Sequence, residues 1–287
     1  MSGVLRTIER HVQAPSGRHL FCRSWCPEAP VSPPMLFVHG FGEHGGRYEE
    51  MGRWFARQGR NVHVYDQVGH GLSSGKRGHV ERFDDYLEDL EFVLGHIAKE
   101  GDAQSPVVVG HSLGGLISAT LACEREPQIS LLVLSGPALA LGQDFSSFRI
   151  WLARVLRGVW PRMSMEAGLE LEALSRDPKV IADYVNDPLV HGRISASMAA
   201  GMTERIVKTA ASARLLGVPV LILHGEDDAL CPVESSRNFY AELPKGVMGL
   251  SRLKTYPGLR HEIFNEPERE EVYDDLRLWL KEMEVRK

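Results

Sequence analysis

The stretch Val107-Val108-Val109-Gly110-His111-Ser112-Leu113-Gly114-Gly115 constrains this chain more than any other. Three β-branched residues in a row suit a strand buried on both faces of a sheet. The run stops at Gly110, and the Ala/Leu/Ile-rich segment from Leu116 to Ala122 then has a helical composition. Strand, sharp turn and helix in that order put Ser112 at the apex of the turn. Such a turn strains the backbone, and the flanking glycines keep it clear of other side chains. The helix that begins here points the positive end of its dipole at the same spot, where negative charge can develop.

The pattern Gly-x-Ser-x-Gly occurs a second time, at Gly71-Leu72-Ser73-Ser74-Gly75. That copy follows polar, Gly-rich residues and precedes Lys76-Arg77-Gly78, so it reads as loop. Context therefore selects Ser112. In a strand–turn–helix setting the pattern is the nucleophile elbow of an α/β-hydrolase fold, a mostly parallel central sheet flanked by helices.

The order of elements agrees. Val4 to Val12 and Arg18 to Trp25 are β-prone runs joined by the turn signal Ala14-Pro15-Ser16-Gly17, which predicts an antiparallel hairpin. Met35 to Val38 is a continuous apolar run that ends in the glycine-rich His39 to Tyr48. A helix is expected from about Tyr48 to Gln58, and a strand from Asn61 to Tyr65. The glycine-rich segment Asp66 to Gly78 reads as loop. Phe83, Tyr86, Leu87, Leu90, Val93, Leu94 and Ile97 recur at the spacing of an amphipathic helix, which Gly101 closes. The elbow follows, then a strand from Ile129 to Leu134. This β-α-β alternation marks a parallel sheet with helices on both faces.

The alternation breaks over residues 138–215. That stretch is helical in pattern and has no strand-like run bounded by turns, with Asp177-Pro178 and Asp187-Pro188 as breaks. It reads as a helical cap inserted into a core made of residues 1–137 and 216–287. The sheet resumes at Val218 to Leu223. Helix Val233 to Leu243, strand Arg252 to Tyr256 and a last helix bearing Val272, Leu276, Trp279, Leu280 and Met283 on one face complete the core.

Composition excludes several function classes. A length of 287 residues suits one large α/β domain with an insertion, or at most two domains. A net charge of −5 gives no reason to expect nucleic acid as a partner. Met1 to Arg10 has no apolar h-region and no run approaches membrane-spanning length. Cys22, Cys26, Cys123 and Cys231 show neither a zinc spacing nor a disulfide framework, and read as reduced thiols. The expectation is a cytoplasmic protein. No histidine has metal-ligand spacing and no Gly-x-Gly-x-x-Gly sits at a strand–helix junction, so no metal or other cofactor is expected.

Acyl transfer by a serine needs a base, a carboxylate that orients it and donors for the oxyanion. In this fold the order along the chain is serine, acid, histidine, each after a strand. His261 follows the last strand, and no other histidine lies beyond His224. The acid should follow Val218 to Leu223, where Glu226, Asp227 and Asp228 all stand. Asp66 precedes the nucleophile, the wrong order for a triad acid. The oxyanion donors should be the backbone N–H groups of Leu113, after the nucleophile, and of Phe41, in the loop after the third strand. His39, His70 and His111 sit in Gly-rich turns and are expected to hydrogen-bond backbone.

Within the cap, Phe148, Trp151, Leu152, Val155, Leu156 and Val159 recur at three and four, with Arg149, Arg154 and Arg157 largely off that stripe. Two readings stand: a helix packed on the cap or core, and a basic amphipathic helix in transient contact with a membrane or lipid interface.

His39-Gly40-Phe41-Gly42-Glu43-His44-Gly45-Gly46-Arg47-Tyr48 closely resembles the oxyanion-loop signature of monoacylglycerol lipases and related lysophospholipases. Asp66-Gln67-Val68-Gly69-His70-Gly71-Leu72-Ser73 resembles that family's Asp-x-x-Gly-His-Gly-x-Ser loop, and Gly110 to Gly115 matches its elbow. Asn186-Asp187-Pro188-Leu189 resembles a segment of its cap, and Asp228-Ala229-Leu230-Cys231 its acid motif. The likeness spans nearly the whole chain. It implies Asp228 as the acid, with Asp227 its rival, and hydrolysis of a small lipid ester. It also implies a mobile cap over a hydrophobic acyl tunnel and a smaller polar pocket for glycerol. Phe41 departs from the family, standing where a smaller residue is common.

Overall fold

The computed structural model describes residues 4–99, 104–140, 142 and 147–286, without the side chains of 147–150. Gly101, expected to close a helix, and the side chains of Phe148 and Arg149 lie outside the described residues. In chain order the first half comprises β1 (Leu5–Gln13), β2 (His19–Pro27), β3 (Ser32–Val38), α1 (Glu49–Arg57), β4 (Arg60–Tyr65), α2 (Asp84–Lys99), β5 (Val107–His111), α3 (Leu113–Glu124) and β6 (Leu131–Ser135). The second half comprises α4 (Ser147–Val159), β7 (Ser164–Glu166), α5 (Pro178–Asn186), β8 (Arg193–Ser195), α6 (Ala196–Ala210), β9 (Val220–Gly225), α7 (Val233–Ala241), α8 (Lys245–Met248), β10 (Arg252–Tyr256) and α9 (Arg269–Val285).

Among the described residues one sheet has eight strands in the order β1-β2-β4-β3-β5-β6-β9-β10. The β1–β2 and β2–β4 pairs are antiparallel and the rest are parallel. This is an α/β-hydrolase fold. Its inner strands are continuously apolar because both faces are covered, and successive residues alternate between two cores. Leu36, Val108, Leu132, Leu134 and Ile222 face the layer of α2, α3, α6 and α7. Phe37, Val109, Leu131, Val133 and Leu223 face α1 and α9.

The parallel register brings the carboxyl ends of the strands to one edge. Val38 pairs with Gly110, His111 with Ser135, Ser135 with Leu223, and Gly225 with Tyr256. The loops that leave this edge carry Phe41, Ser112, Asp228 and His261, and such an edge is where open α/β sheets place their ligands.

Between β6 and β9 the chain leaves the sheet. The expectation that this stretch holds no strand is wrong, because β7 and β8 form a two-stranded antiparallel ribbon. Ser-Met-Glu and Arg-Ile-Ser are too short and too polar to carry a strand pattern. Asp177-Pro178 starts a helix rather than breaking one. Asp177 caps α5 by accepting the Lys179 N–H at 2.9 Å, and a proline is well placed in a first turn. The apolar stripe of α4 is divided. Ala153 is buried and Leu152 and Leu156 are half-buried, while Trp151 is 56% exposed, Val155 46% and Val159 84%.

Candidate active site

At the end of β5 the chain reverses into α3 through Ser112, whose φ of 52° is unfavourable for a residue with a side chain. Tertiary structure holds it there. The Ser112 N–H donates to the Ser135 carbonyl at 3.0 Å, and its own carbonyl accepts from Leu116 and Ala138, each at 3.0 Å. Gly114 is required because a Cβ there would lie 1.9 Å from the Val38 carbonyl oxygen. The Cys231 thiol lines the same cavity as Ser112, and burial pushes that thiol well above its ordinary pKa.

His261 is buried, and its Nδ1 lies 2.7 Å from Asp228 Oδ2. The other Asp228 oxygen accepts the N–H groups of Leu230 (2.9 Å) and Cys231 (2.8 Å). With a carboxylate as partner, Nδ1 carries the hydrogen and Nε2 is left with a lone pair. Burial alone would lower the His261 pKa, but the Asp228 carboxylate overrides it and raises it above the ordinary value. Asp228 is shifted the opposite way. Burial works against its charge, and the His261 and His224 rings hold it below the usual carboxylate range. Asp227 is exposed, and its N–H donates to the Leu259 carbonyl at 3.0 Å. The two neighbouring carboxylates are thus distinguished by burial and partner.

The loop after β3 passes against the nucleophile. A Cβ on Gly40 would lie 3.3 Å from the Ser112 Cβ and 2.9 Å from Glu43 Oε1. Leu113 opens α3, so its N–H belongs to the helix turn that has no internal acceptor. Phe41 and Leu113 both line the cavity that reaches Ser112. The Phe41 ring stands edge-on to His70 and to His191, with centroids 6.1 and 5.9 Å away.

The Gly-rich turns are pinned as expected. His39 Nε2 accepts the Gln67 N–H at 2.9 Å, which leaves Nδ1 to donate to the Gly40 carbonyl at 2.8 Å. His70 and His111 contact the carbonyls of Val68 and Ser135 at 3.1 and 3.0 Å. Asp66 is a loop staple, accepting the N–H groups of Gly45 and Leu72 at 2.7 Å each. Ser73, of the second Gly-x-Ser-x-Gly, accepts the Phe21 N–H at 2.8 Å within that loop.

Several residues at the site have contacts that the sequence motifs alone do not assign. Glu43 Oε1 accepts the Gly40 N–H (2.5 Å) and the Tyr48 hydroxyl (2.8 Å). Arg47 binds Glu43 at 2.6 Å and grips Glu262 with two bonds of 2.7 Å. Burial opposes the Glu43 charge, and Arg47 nevertheless holds its pKa below the usual range. The arginine also lies over the Tyr184 ring, 4.8 Å from its centroid. Glu43 and Arg47 stand four residues apart, the spacing of one helical turn, which hints at a local pair. Nothing local announces Glu262 or Tyr184.

The segment between β6 and β9 closes over these groups. His191 N–H donates to the Gly42 carbonyl at 2.8 Å, and His44 Nε2 lies 2.8 Å from Asp187 Oδ2. The Glu262 N–H donates to the Leu174 carbonyl at 2.8 Å. What remains is a cavity of about 70 Å³ that reaches Ser112 and His261, with an apolar wall of Leu169, Leu174, Ile194 and Met202 and a polar end at Glu43 and Glu262.

A family model described as serine aminopeptidase, S33, matches residues 30–268. A monoacylglycerol lipase from Mycolicibacterium smegmatis is 35% identical over 257 residues, 89% of this chain and 90% of the relative. The chain belongs to the monoacylglycerol lipase-like family of α/β-hydrolases. The crystal structure of a monoacylglycerol lipase from Paleococcus ferrophilus superposes with a TM-score of 0.83 at 32% identity, covering 92% of this chain and 99% of that one. A phospholipase from Bacillus subtilis is 29% identical over 258 residues, 87% of this chain and 95% of its own. The family is one of serine hydrolases, so this chain is a serine ester hydrolase. The buried carboxylate–imidazole pair and the strained serine are the groups such chemistry requires.

Proposed function

We propose that this protein cleaves monoacylglycerols to a fatty acid and glycerol through an acyl-enzyme on Ser112. The observation that carries this reading is the pairing of Asp228 with His261 in the cavity of Ser112, between an apolar wall and a charged polar end. His261 Nε2 takes the Ser112 proton, and the serine oxygen attacks the ester carbonyl. Asp228 holds the imidazole tautomer and stabilises the imidazolium. The Phe41 and Leu113 N–H groups receive the oxyanion, an interaction worth about 3–4 kcal/mol per donor. The C–O bond to glycerol breaks, and His261 gives its proton to the departing alcohol. Water, deprotonated by the same imidazole, then releases the fatty acid.

The Glu43–Arg47–Glu262 cluster suits the glycerol hydroxyls, and the apolar wall suits the acyl chain. The cavity of about 70 Å³ is walled partly by residues of the 138–215 segment, which acts as a cap that opens to admit the acyl chain. Trp151, Val155, Val159 and the 63% exposed Trp160 form its outward apolar edge. Arg154 stands exposed beside them, and this face would meet a lipid interface transiently. Among the described residues no helix is long and apolar enough to cross a membrane.

A lysophospholipid is the second reading, favoured by the Bacillus subtilis relative. A hydrolysis panel of monoacylglycerols, lysophospholipids, triacylglycerols and short synthetic esters on one preparation separates the two. The monoacylglycerol should give the highest kcat/KM. Preference for the lysophospholipid would overturn the head-group assignment, and no turnover of any ester would overturn the reaction.

A further inference from the structure

Behind Asp228 lies a second buried imidazole that the mechanism above does not use. His224 is the penultimate residue of β9 and has no exposed surface. Its Nε2 is 3.1 Å from Asp228 Oδ2 and 2.8 Å from the Cys231 carbonyl oxygen. Both neighbours are pure acceptors, so Nε2 carries a hydrogen. Its Nδ1 is 2.7 Å from the hydroxyl of Ser236 on α7, which donates to the ring nitrogen left bare. Every polar atom of this imidazole is thereby satisfied, and its tautomer is fixed.

The consequence falls on the carboxylate. An ionised aspartate offers about four lone-pair positions. Here the backbone N–H groups of Leu230 and Cys231 fill those of Oδ1, and His261 and His224 fill those of Oδ2. We propose that His224 is a positioning residue of the catalytic apparatus. Its Nε2–H fixes the orientation of Asp228 and draws off part of the charge that Asp228 would otherwise direct at His261. The proposal rests on the triad reading given above.

A donor to the charged form of a carboxylate lowers its basicity. With that donor gone, Asp228 pulls harder on the His261 proton and holds it to higher pH. The charged groups acting on His261 are Asp228, Glu262 and Glu43, with the His111 ring 4.8 Å away. On the His224 side stand Ser236 and the Cys231 backbone, neither of them charged, so removing His224 leaves the other charges in place.

The test is the pH profile of kcat/KM on p-nitrophenyl butyrate with the full chain, comparing wild type, His224→Phe, His224→Gln and Ser236→Ala, with Ser112→Ala in parallel. His224→Phe should lower the plateau about tenfold to a hundredfold, as loss of one hydrogen bond to a charged group does. It should also move the acid limb to higher pH. Glutamine places an amide N–H where the imidazole Nε2–H was, so His224→Gln should restore the limb to its wild-type position. Ser236→Ala should shift the limb the same way by less, and it decides the matter if His224→Phe does not fold. An unmoved limb in both His224→Phe and Ser236→Ala, or equal impairment of His224→Phe and His224→Gln with the limb unmoved, would overturn the proposal. Wild type without turnover, or active Ser112→Ala, would instead sink the triad reading and the inference with it.

Discussion

Asp228→Asn separates the two adjacent carboxylates by a magnitude that follows from their contacts. The substitution keeps shape and removes charge. Its amide oxygen can still accept from Leu230 and Cys231, which turns the NH2 toward His261 and His224. An amide that donates to His261 Nδ1 forces the ring hydrogen onto Nε2, the atom that must accept the Ser112 proton. A triad with the wrong tautomer loses on the order of 10⁴ in kcat. At about 1.36 kcal/mol per decade, that is about 5.5 kcal/mol of transition-state stabilisation. Asp227 is exposed and engages the fold through its backbone N–H, so Asp227→Asn should stay within about twofold of wild type. The assay is kcat/KM on a soluble short-chain ester, with circular dichroism to establish that both variants fold. Asp228→Asn retaining a tenth of wild-type activity, or a larger loss in Asp227→Asn, would refute the assignment.

Three further outcomes follow from the same geometry. His261 works as a base only when neutral, and its pKa is raised above the ordinary 6.5, so kcat/KM should fall with decreasing pH through an inflection above 6.5; a pH–rate profile with its inflection below that value contradicts the pairing. Glu43→Gln weakens the hold of Arg47 and the anchor of the Gly40 N–H, and should cost about 2 kcal/mol in a denaturant melt and lower kcat more than KM rises; unchanged stability and kcat would remove Glu43 from the account of the oxyanion loop. Trp151→Ser should weaken binding to phospholipid vesicles in a sedimentation assay without slowing cleavage of a small soluble ester, whereas equal loss of both would assign the side chain to packing.

Much of this fold is legible because its inner strands obey a simple rule. A strand covered on both faces must be apolar throughout, so Met35 to Val38 and Val107 to Val109 announce themselves. The elbow is legible for a different reason: a serine with positive φ between close-packed glycines leaves few alternatives, and the chain order of serine, acid and histidine then narrows the rest. The alternation of strand and helix also separates the Gly-x-Ser-x-Gly at a strand–helix turn from its copy around Ser73.

The less legible parts are those decided by contacts distant in sequence. Glu262 meets Arg47 across 215 residues, and no local pattern encodes that pairing. The β7–β8 ribbon consists of three-residue strands that pair with each other, each with one apolar residue, Met165 or Ile194, too few to announce an alternation. The stripe of α4 has one spacing but two fates, since Leu152 and Leu156 turn inward while Trp151, Val155 and Val159 turn out. His224 reads in sequence as the end of a strand. Its bond to Asp228 becomes visible only when the loop after β9 folds back on that strand.

If Ser112 carries the acyl group during hydrolysis of a monoacylglycerol, turnover depends on its hydroxyl. Fatty acid release from a monoacylglycerol, measured for wild type and for Ser112→Ala with an unchanged circular dichroism spectrum, tests it most directly. Rapid release by wild type and a loss of at least about 10⁴-fold in the variant are expected. Turnover by Ser112→Ala within tenfold of wild type would contradict it.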